Sequence, residues 1–258
     1  MPELPDLQVF SKNLTKELAG KTVKKVKLLV KQKSNASQAQ MTKALAGQTI
    51  AKVIREGKEL HVNFKDGTVL GLHLMLHGQL YIDDGTETHK YVIISLELED
   101  GRTFGMTDFQ RQATPKLNPP HNDVEDALSK KINSAFLKEA FAHTNASVKS
   151  WLMDQHVIRG IGNAYADEIL WNAKLSPFSL CKNIPAKYVT KLAASIKKVL
   201  NHGERQILKE RPGTISGELR DFLVIHNSKK TESPTGKKIL VKVIGGRKTY
   251  FTEEQEKF

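Results

Sequence analysis

Apolar residues recur first at helical and then at strand spacing. Leu4, Leu7, Phe10, Leu14 and Leu18 lie three or four apart and Gly20 follows as a stop, so residues 4–18 are predicted to form an amphipathic helix. Val23, Val26 and Leu28 sit in one strand-like run, and Ile50 and Val53 in a second. Leu60, Val62 and Phe64 alternate strictly with polar residues before an Asp66-Gly67 turn. The stretch Val69–Ile82 is mostly apolar and long for one strand, which predicts a bend near Gly78. Tyr91–Leu98 reads as another strand, closed by Asp100-Gly101, with Thr103–Met106 pairing back.

The texture changes after Thr114. Pro115, Pro119, Pro120 and Asn122 form a breaker-rich segment, which places a domain boundary between residues 118 and 119. Beyond it the pattern is helical, with segments predicted near 125–142, 146–156, 163–173, 186–209 and 215–224. The tail, from about 230 to 258, returns to strand. Ile239, Val241 and Val243 alternate, Gly245-Gly246 is a hairpin turn signal, and Thr249–Phe251 is the return strand. These elements predict an α+β protein of two domains, 1–118 and 119–258.

Composition sharpens this picture. The chain has 258 residues, 39% of them hydrophobic, enough for packed cores. Its formal net charge of +12 asks for an acidic partner, nucleic-acid phosphate first and an anionic membrane surface second. Residues 1–118 carry 17 Lys and Arg against 13 Asp and Glu, and residues 119–258 carry 23 against 15, so the second part is the stronger phosphate binder. The single cysteine, Cys181, cannot form an internal disulfide or a cysteine zinc cage, and suits a reducing compartment. No run approaches the roughly 18 apolar residues of a membrane span, and the N-terminus does not read as a signal peptide. A monomer located in the cytoplasm, with the nucleoid in a bacterium, is expected, with no metal and no cofactor.

Two segments carry candidate chemistry. Pro2-Glu3-Leu4-Pro5 sets two prolines around a carboxylate just before a helix. Met1 precedes a small residue, which favours its removal and would leave Pro2 with a free secondary amine. An α-amino group is far less basic than a lysine, and its unprotonated form can attack a carbon centre to give an iminium. Glu3 is placed to give or take a proton. On these residues alone helix punctuation is the better reading, since prolines and acids both favour helix N-termini. The second segment is Gly160-Ile161-Gly162-Asn163, a tight turn opening a helix, where backbone N–H groups favour an anion. An ordinary helix cap competes with that reading.

The surroundings decide between these readings. Lys149-Ser150-Trp151-Leu152-Met153-Asp154-Gln155 precedes the glycine turn and Asp167-Glu168-Ile169-Leu170 follows it. This run resembles the helix-two-turn-helix of the formamidopyrimidine-DNA glycosylase/endonuclease VIII family, and Pro-Glu-Leu-Pro resembles that family's start. The resemblance extends over essentially the whole chain. It implies an N-terminal β-sandwich with flanking helices, then a helical domain ending in a β-hairpin finger, and damaged DNA as the partner. It also implies a bifunctional glycosylase and abasic-site lyase of base excision repair. Pro2 matches the nucleophile that attacks C1′, Glu3 the acid that helps open the sugar, and Lys58 the hairpin lysine that contacts phosphate. Asn163 and Arg247 match residues that hold the backbone at the flipped nucleotide, and Lys149, Gly162 and His89 are further candidates for DNA contact. A lesion-binding protein without catalysis is the alternative.

The chain departs from the family pattern at several places, among them Asp6 in place of the usual glutamate and a short stretch between Phe222 and the finger where a long loop is expected. The four zinc-binding cysteines are replaced by Glu232, Thr235, Thr252 and Gln255, so the resemblance is to the zincless-finger type. The run that carries the first void-filling side chain reads His73-Leu74-Met75-Leu76-His77-Gly78, which assigns that role to Leu76. The second reads Asp108-Phe109-Gln110-Arg111-Gln112-Ala113, with Gln110 where an arginine often meets the orphaned base and Gln112 where a phenylalanine often wedges. A glutamine can hydrogen-bond a base edge but brings no charge.

Overall fold

The first helix forms over Leu4–Leu18 (α1), and every apolar residue that predicted it is buried. The computed structural model describes residues 1–258, which fold as two units. The first unit comprises Met1–Asn122 and Leu208–Glu218, and the second Asp123–Ile207 and Leu219–Phe258. The short return segment Leu208–Glu218 thus belongs with the N-terminal residues although it lies well beyond the proline-rich stretch.

In the first unit the strands are β1 (Val23–Leu28), β2 (Ile50–Glu56), β3 (Glu59–Phe64), β4 (Val69–His73), β5 (Gln79–Asp83), β6 (Val92–Leu98), β7 (Thr103–Thr107) and β8 (Thr114–Leu117). They make two antiparallel four-stranded sheets, ordered β1-β6-β7-β5 and β2-β3-β4-β8. The long apolar stretch does break: β4 ends at His73, β5 begins at Gln79, and the Gly78 N–H closes the turn between them onto the Leu74 carbonyl at 2.8 Å. A Cβ on Gly78 would stand 2.2 Å from that carbonyl oxygen, so only glycine fits. Phe10 and Leu14 of α1, Leu60 and Val62 of β3, and Leu96 and Phe104 of β6 and β7 share one core. Each such side chain contributes about 1.5–3 kcal/mol by leaving water. Thr15 adds a polar tie, its hydroxyl donating to the Val53 carbonyl and accepting the Val53 N–H.

Two elements here have no counterpart in the hydrophobic pattern. A helix α2 spans Gln38–Leu45, opened by a reciprocal Ser37–Gln40 capping box. The strand β8 contains Pro115, which its edge position tolerates because the outer side of an edge strand needs no N–H donor.

The second unit contains α3 (Ser134–Ala142), α4 (Val148–Met153), α5 (Asn163–Asn172), α6 (Ala186–Glu210) up to Ile207, and a hairpin of β9 (Leu240–Ile244) and β10 (Arg247–Phe251). Two expectations are corrected. Residues 125–133 are turns, and α3 starts only after Asn133, whose side chain accepts the N–H groups of Ala135 and Phe136. Residues 215–224 form no helix. Gly217 has φ +84°, and the Val224, Ile225 and His226 N–H groups turn instead to the Glu168 carboxylate at 2.8–2.9 Å. Burial raises the Glu168 pKa against the pull of those three donors. The alternating valines of β9 do lie in a strand, but Val241 and Val243 are 51% and 65% exposed.

The finger is held without a metal-ligand set, and no group of three or more His, Cys, Asp or Glu side chains is placed to hold a metal ion anywhere in the chain. Instead the Glu254 carboxylate accepts from Thr235 Oγ1 at 2.7 Å, from Thr252 Oγ1 at 3.2 Å and from Lys174 Nζ at 3.1 Å. The Thr235 hydroxyl and the Lys174 ammonium hold its pKa at about 2. Gln255 accepts the Thr252 N–H and donates to the Leu175 carbonyl. Three of the four positions where the family carries cysteines thus join one hydrogen-bonded cluster.

Candidate active site and nucleic-acid interface

In the first unit the chain starts against α1. Pro2 is buried, and Glu3, 5% exposed, is the N-cap residue of the helix. The Glu3 N–H donates to Asp6 Oδ2 at 2.8 Å, which fixes the backbone immediately after Pro2. The Met1 ammonium is ion-paired with Glu218. While Met1 is attached, the Pro2 nitrogen is a tertiary amide with no free lone pair, so any nucleophilic role requires the methionine to leave.

Lys58 sits at the tip of the β2–β3 hairpin, after Gly57 at φ +59°. Arg55 links this tip to α1. Its Nε donates to Gln8 Oε1 at 2.9 Å and its Nη1 to the Gly57 carbonyl at 3.0 Å. One guanidinium therefore joins the helix capped by Glu3 to the turn that carries Lys58. The hydrophobic pattern did not single out Arg55, because its role depends on which hairpin lies beside α1.

The turn after β4 presents Leu76, 59% exposed, with Met75 beside it at φ +50°. The Met75 N–H donates to His73 Nδ1 at 3.0 Å, a bond that requires this nitrogen unprotonated. Burial keeps the His73 pKa below its ordinary value. The loop after β7 is built on buried Asp108, whose carboxylate accepts the N–H groups of Gln110, Gln112 and Ala113 at 2.7–2.9 Å. Gln110 and Gln112 are exposed. Phe109, to which the family run assigns no role, is 57% exposed and its ring lies 4.6 Å from that of His77. An aromatic residue in a glutamine-rich run was the available signal. His89 is held by Asp83, with Nε2 to Oδ2 at 2.7 Å, and stacks on Tyr81 at 3.6 Å.

In the second unit α4 leads through two turns to α5. Gln155 ties the turns together, donating to the Met153 and Ile161 carbonyls and accepting the Gly160 N–H. Gly162 caps α5 and Asn163 is its first residue. Asn163 Nδ2 donates to the Lys248 carbonyl at 3.0 Å, next to Arg247, while its Oδ1 is buried without a partner. Arg247 is exposed at the start of β10, after the Gly245-Gly246 turn. Arg247 and Gly245 line a small cleft together with Ser150, Met153 and Asp154 of the α4 end.

Lys149 requires a correction. Its side chain is 1% exposed, paired with Asp167 Oδ1 at 2.7 Å and bonded to Thr249 Oγ1 at 2.8 Å. Asp167 also receives His226 Nδ1 at 2.7 Å and the Tyr250 N–H at 2.9 Å. An ammonium so enclosed does not reach a phosphate. It locks the finger hairpin to α4 and α5, and thereby sets where Arg247 stands.

Comparison with known proteins gives the family and the fold. Residues 1–114 match the formamidopyrimidine-DNA glycosylase N-terminal domain, and residues 124–209 the H2TH domain of the same enzymes. The chain is 30% identical over 212 residues to a formamidopyrimidine-DNA glycosylase of Carboxydothermus hydrogenoformans, covering 79% of this chain and 77% of that protein. It is 28% identical to that of Pelotomaculum thermopropionicum, covering 97% of both. Among solved structures, the Lactococcus lactis protein in complex with abasic-site DNA shares the fold with a TM-score of 0.88, at 21% identity over 99% of this chain and 100% of that one.

Proposed function

The chain belongs to the formamidopyrimidine-DNA glycosylase/endonuclease VIII family, in its zincless-finger type, and we propose from that premise how it acts as a DNA glycosylase of base excision repair with a second, lyase activity. The observation that carries the reading is the placement of Pro2 and Glu3 at the start of α1, in the same unit as Lys58 and tied to its hairpin through Arg55.

Once Met1 is removed, the Pro2 nitrogen adds its lone pair to C1′ of the damaged nucleoside. The bond from C1′ to the base breaks and the base leaves with a proton. Glu3 protonates the ring oxygen as the sugar opens, and an iminium links Pro2 to C1′. The iminium acidifies the C2′ proton. Its loss expels the phosphate at C3′ and nicks the strand, and water then frees Pro2. The nucleotide must first leave the stack, at a cost of a few kcal/mol. Lys58, Asn163 and Arg247 are assigned to the phosphates that hold it there, and Gly162 to the same anion through its place at the α5 N-terminus. His89, fixed by Asp83, is a further backbone contact of the first unit. Action on DNA supports a cytoplasmic location, at the nucleoid in a bacterium, and no helix is long and apolar enough to cross a membrane.

Borohydride trapping tests the reading. The full chain, incubated with duplexes holding an abasic site or an oxidised base, is expected to form one covalent adduct, and Pro2→Gly to lose it. Mass spectrometry of the purified protein is expected to show Pro2 as the first residue. Full nicking activity by protein that retains Met1 would overturn the mechanism.

A further inference from the structure

Four of the eight large hydrophobic side chains exposed on this protein are Met75, Leu76, Tyr91 and Phe109. They lie on three neighbouring loops of the first unit. Phe109 packs on His77 of the Leu76 turn, and the Tyr91 carbonyl accepts the Asp108 N–H at 3.0 Å. The loops are rigidly built. Asp108 takes three backbone N–H groups, His73 takes that of Met75, and Gly78 closes the other turn. Phe109 stands 57% exposed on a loop whose backbone is tied to Asp108, on a protein of net charge +12. Apolar side chains that reach into DNA partly unstack a base step, and aromatic ones take the stacked face of a base.

We infer that Phe109, with Leu76 on the adjoining turn, is the wedge this protein inserts into the base stack at the damaged nucleotide. The inference rests on the glycosylase reading and departs from the motif alignment, which puts the second wedge at Gln112. The Gln112 side chain has no ring to stack on a base, and its amide is turned to the Gln110 carbonyl at 3.3 Å. A ring that stacks does not read base edges, because every base has a π-face. The protein therefore discriminates weakly among the four bases opposite the lesion, and Gln110 supplies only an uncharged contact.

The test uses the full chain and duplexes carrying an uncleavable tetrahydrofuran site next to 2-aminopurine, whose fluorescence rises when it unstacks. Wild type is expected to raise the fluorescence and to bind all four opposite-base duplexes within about threefold of one another. Phe109→Ala is expected to lose most of the rise and about tenfold in affinity on each duplex, the range for loss of one stacking ring. Phe109→Trp restores both. Leu29→Ala, which removes an equally exposed side chain elsewhere in the unit, changes neither. Phe109 is exposed, so its substitution leaves the thermal midpoint in place. If Phe109→Ala unstacks and binds as wild type does, the wedge lies elsewhere and the inference falls, whatever Gln112→Ala does. Because the tetrahydrofuran site bypasses the covalent step, failure of the Schiff-base reading would show separately, in borohydride trapping by wild type.

Discussion

At the scale of single residues, burial decides which cations are available to DNA. Lys149 and Arg247 both belong to the second unit, and a reading of charge alone treats them alike. Lys149 is enclosed by Asp167, Thr249 and the Lys248 carbonyl, whereas Arg247 is exposed. A buried pair broken on one side leaves its partner charge without compensation, at a cost of about 3–5 kcal/mol. Lys149→Met is therefore expected to lower the thermal midpoint of the second unit by on the order of 10 °C, and Asp167→Asn in the same chain to recover part of that loss. Calorimetry checks this, and an unchanged midpoint for Lys149→Met would return the ammonium to the surface. Other residue roles were readable only through the family motif. Pro2 and Asn163 look like helix punctuation by themselves, and Phe109 stands at a position of the family run to which no role was matched. Its exposure follows from the Asp108-centred loop, a tertiary arrangement that spacing does not encode.

At the scale of elements, Arg55 shows how one side chain can set the distance between two groups to which the proposed mechanism gives catalytic roles. Its guanidinium spans Gln8 of α1 and the Gly57 carbonyl, so the hairpin tip with Lys58 cannot swing without breaking a bond. Displacements of about 1 Å at a reacting centre cost up to about a hundredfold in rate. Arg55→Met is expected to lower kcat by about tenfold or more with little change in KM, and Gln8→Ala by less. Single-turnover kinetics check the split, and a KM effect alone would make Arg55 a binding residue. Much of this level was legible in the sequence. The α1 bounds, the β3 alternation, the break near Gly78 and the finger turn all follow from local pattern. The failures have physical causes. The Ser37–Gln40 capping box of α2 was present in the sequence, but its helix buries only Met41 and Leu45, too few to mark a period. Residues 215–224 have helical spacing, yet Glu168 captures three successive N–H groups, from Val224 at their end to His226, and Gly217 bends the chain within them. The valines of β9 alternate as a buried strand would, but a two-stranded hairpin has two faces and the fold covers only one of them.

At the scale of the whole molecule, charge is the property that the sequence states most directly. The net charge is +12, and about two-thirds of it lies beyond residue 118. Each phosphate neutralised by a Lys or Arg releases condensed counterions, so the logarithm of affinity falls with the logarithm of salt by about 0.9 per contact on duplex DNA. With on the order of five phosphates engaged, the slope should lie near −4 to −5. Arg247→Ala should make it shallower by about one contact, because the exposed guanidinium would no longer meet the backbone. Phe109→Ala should weaken binding at every salt concentration and leave the slope unchanged, because stacking releases no counterions. The two variants therefore separate the polyelectrolyte part of recognition from the apolar part. Binding isotherms on tetrahydrofuran duplexes between roughly 50 and 200 mM salt resolve both, and the range is wide enough for a slope of this size to change affinity by more than a hundredfold. A slope that falls for Phe109→Ala as it does for Arg247→Ala would mean that the ring serves to position a cation, and that the exposed apolar loops act through the phosphates after all.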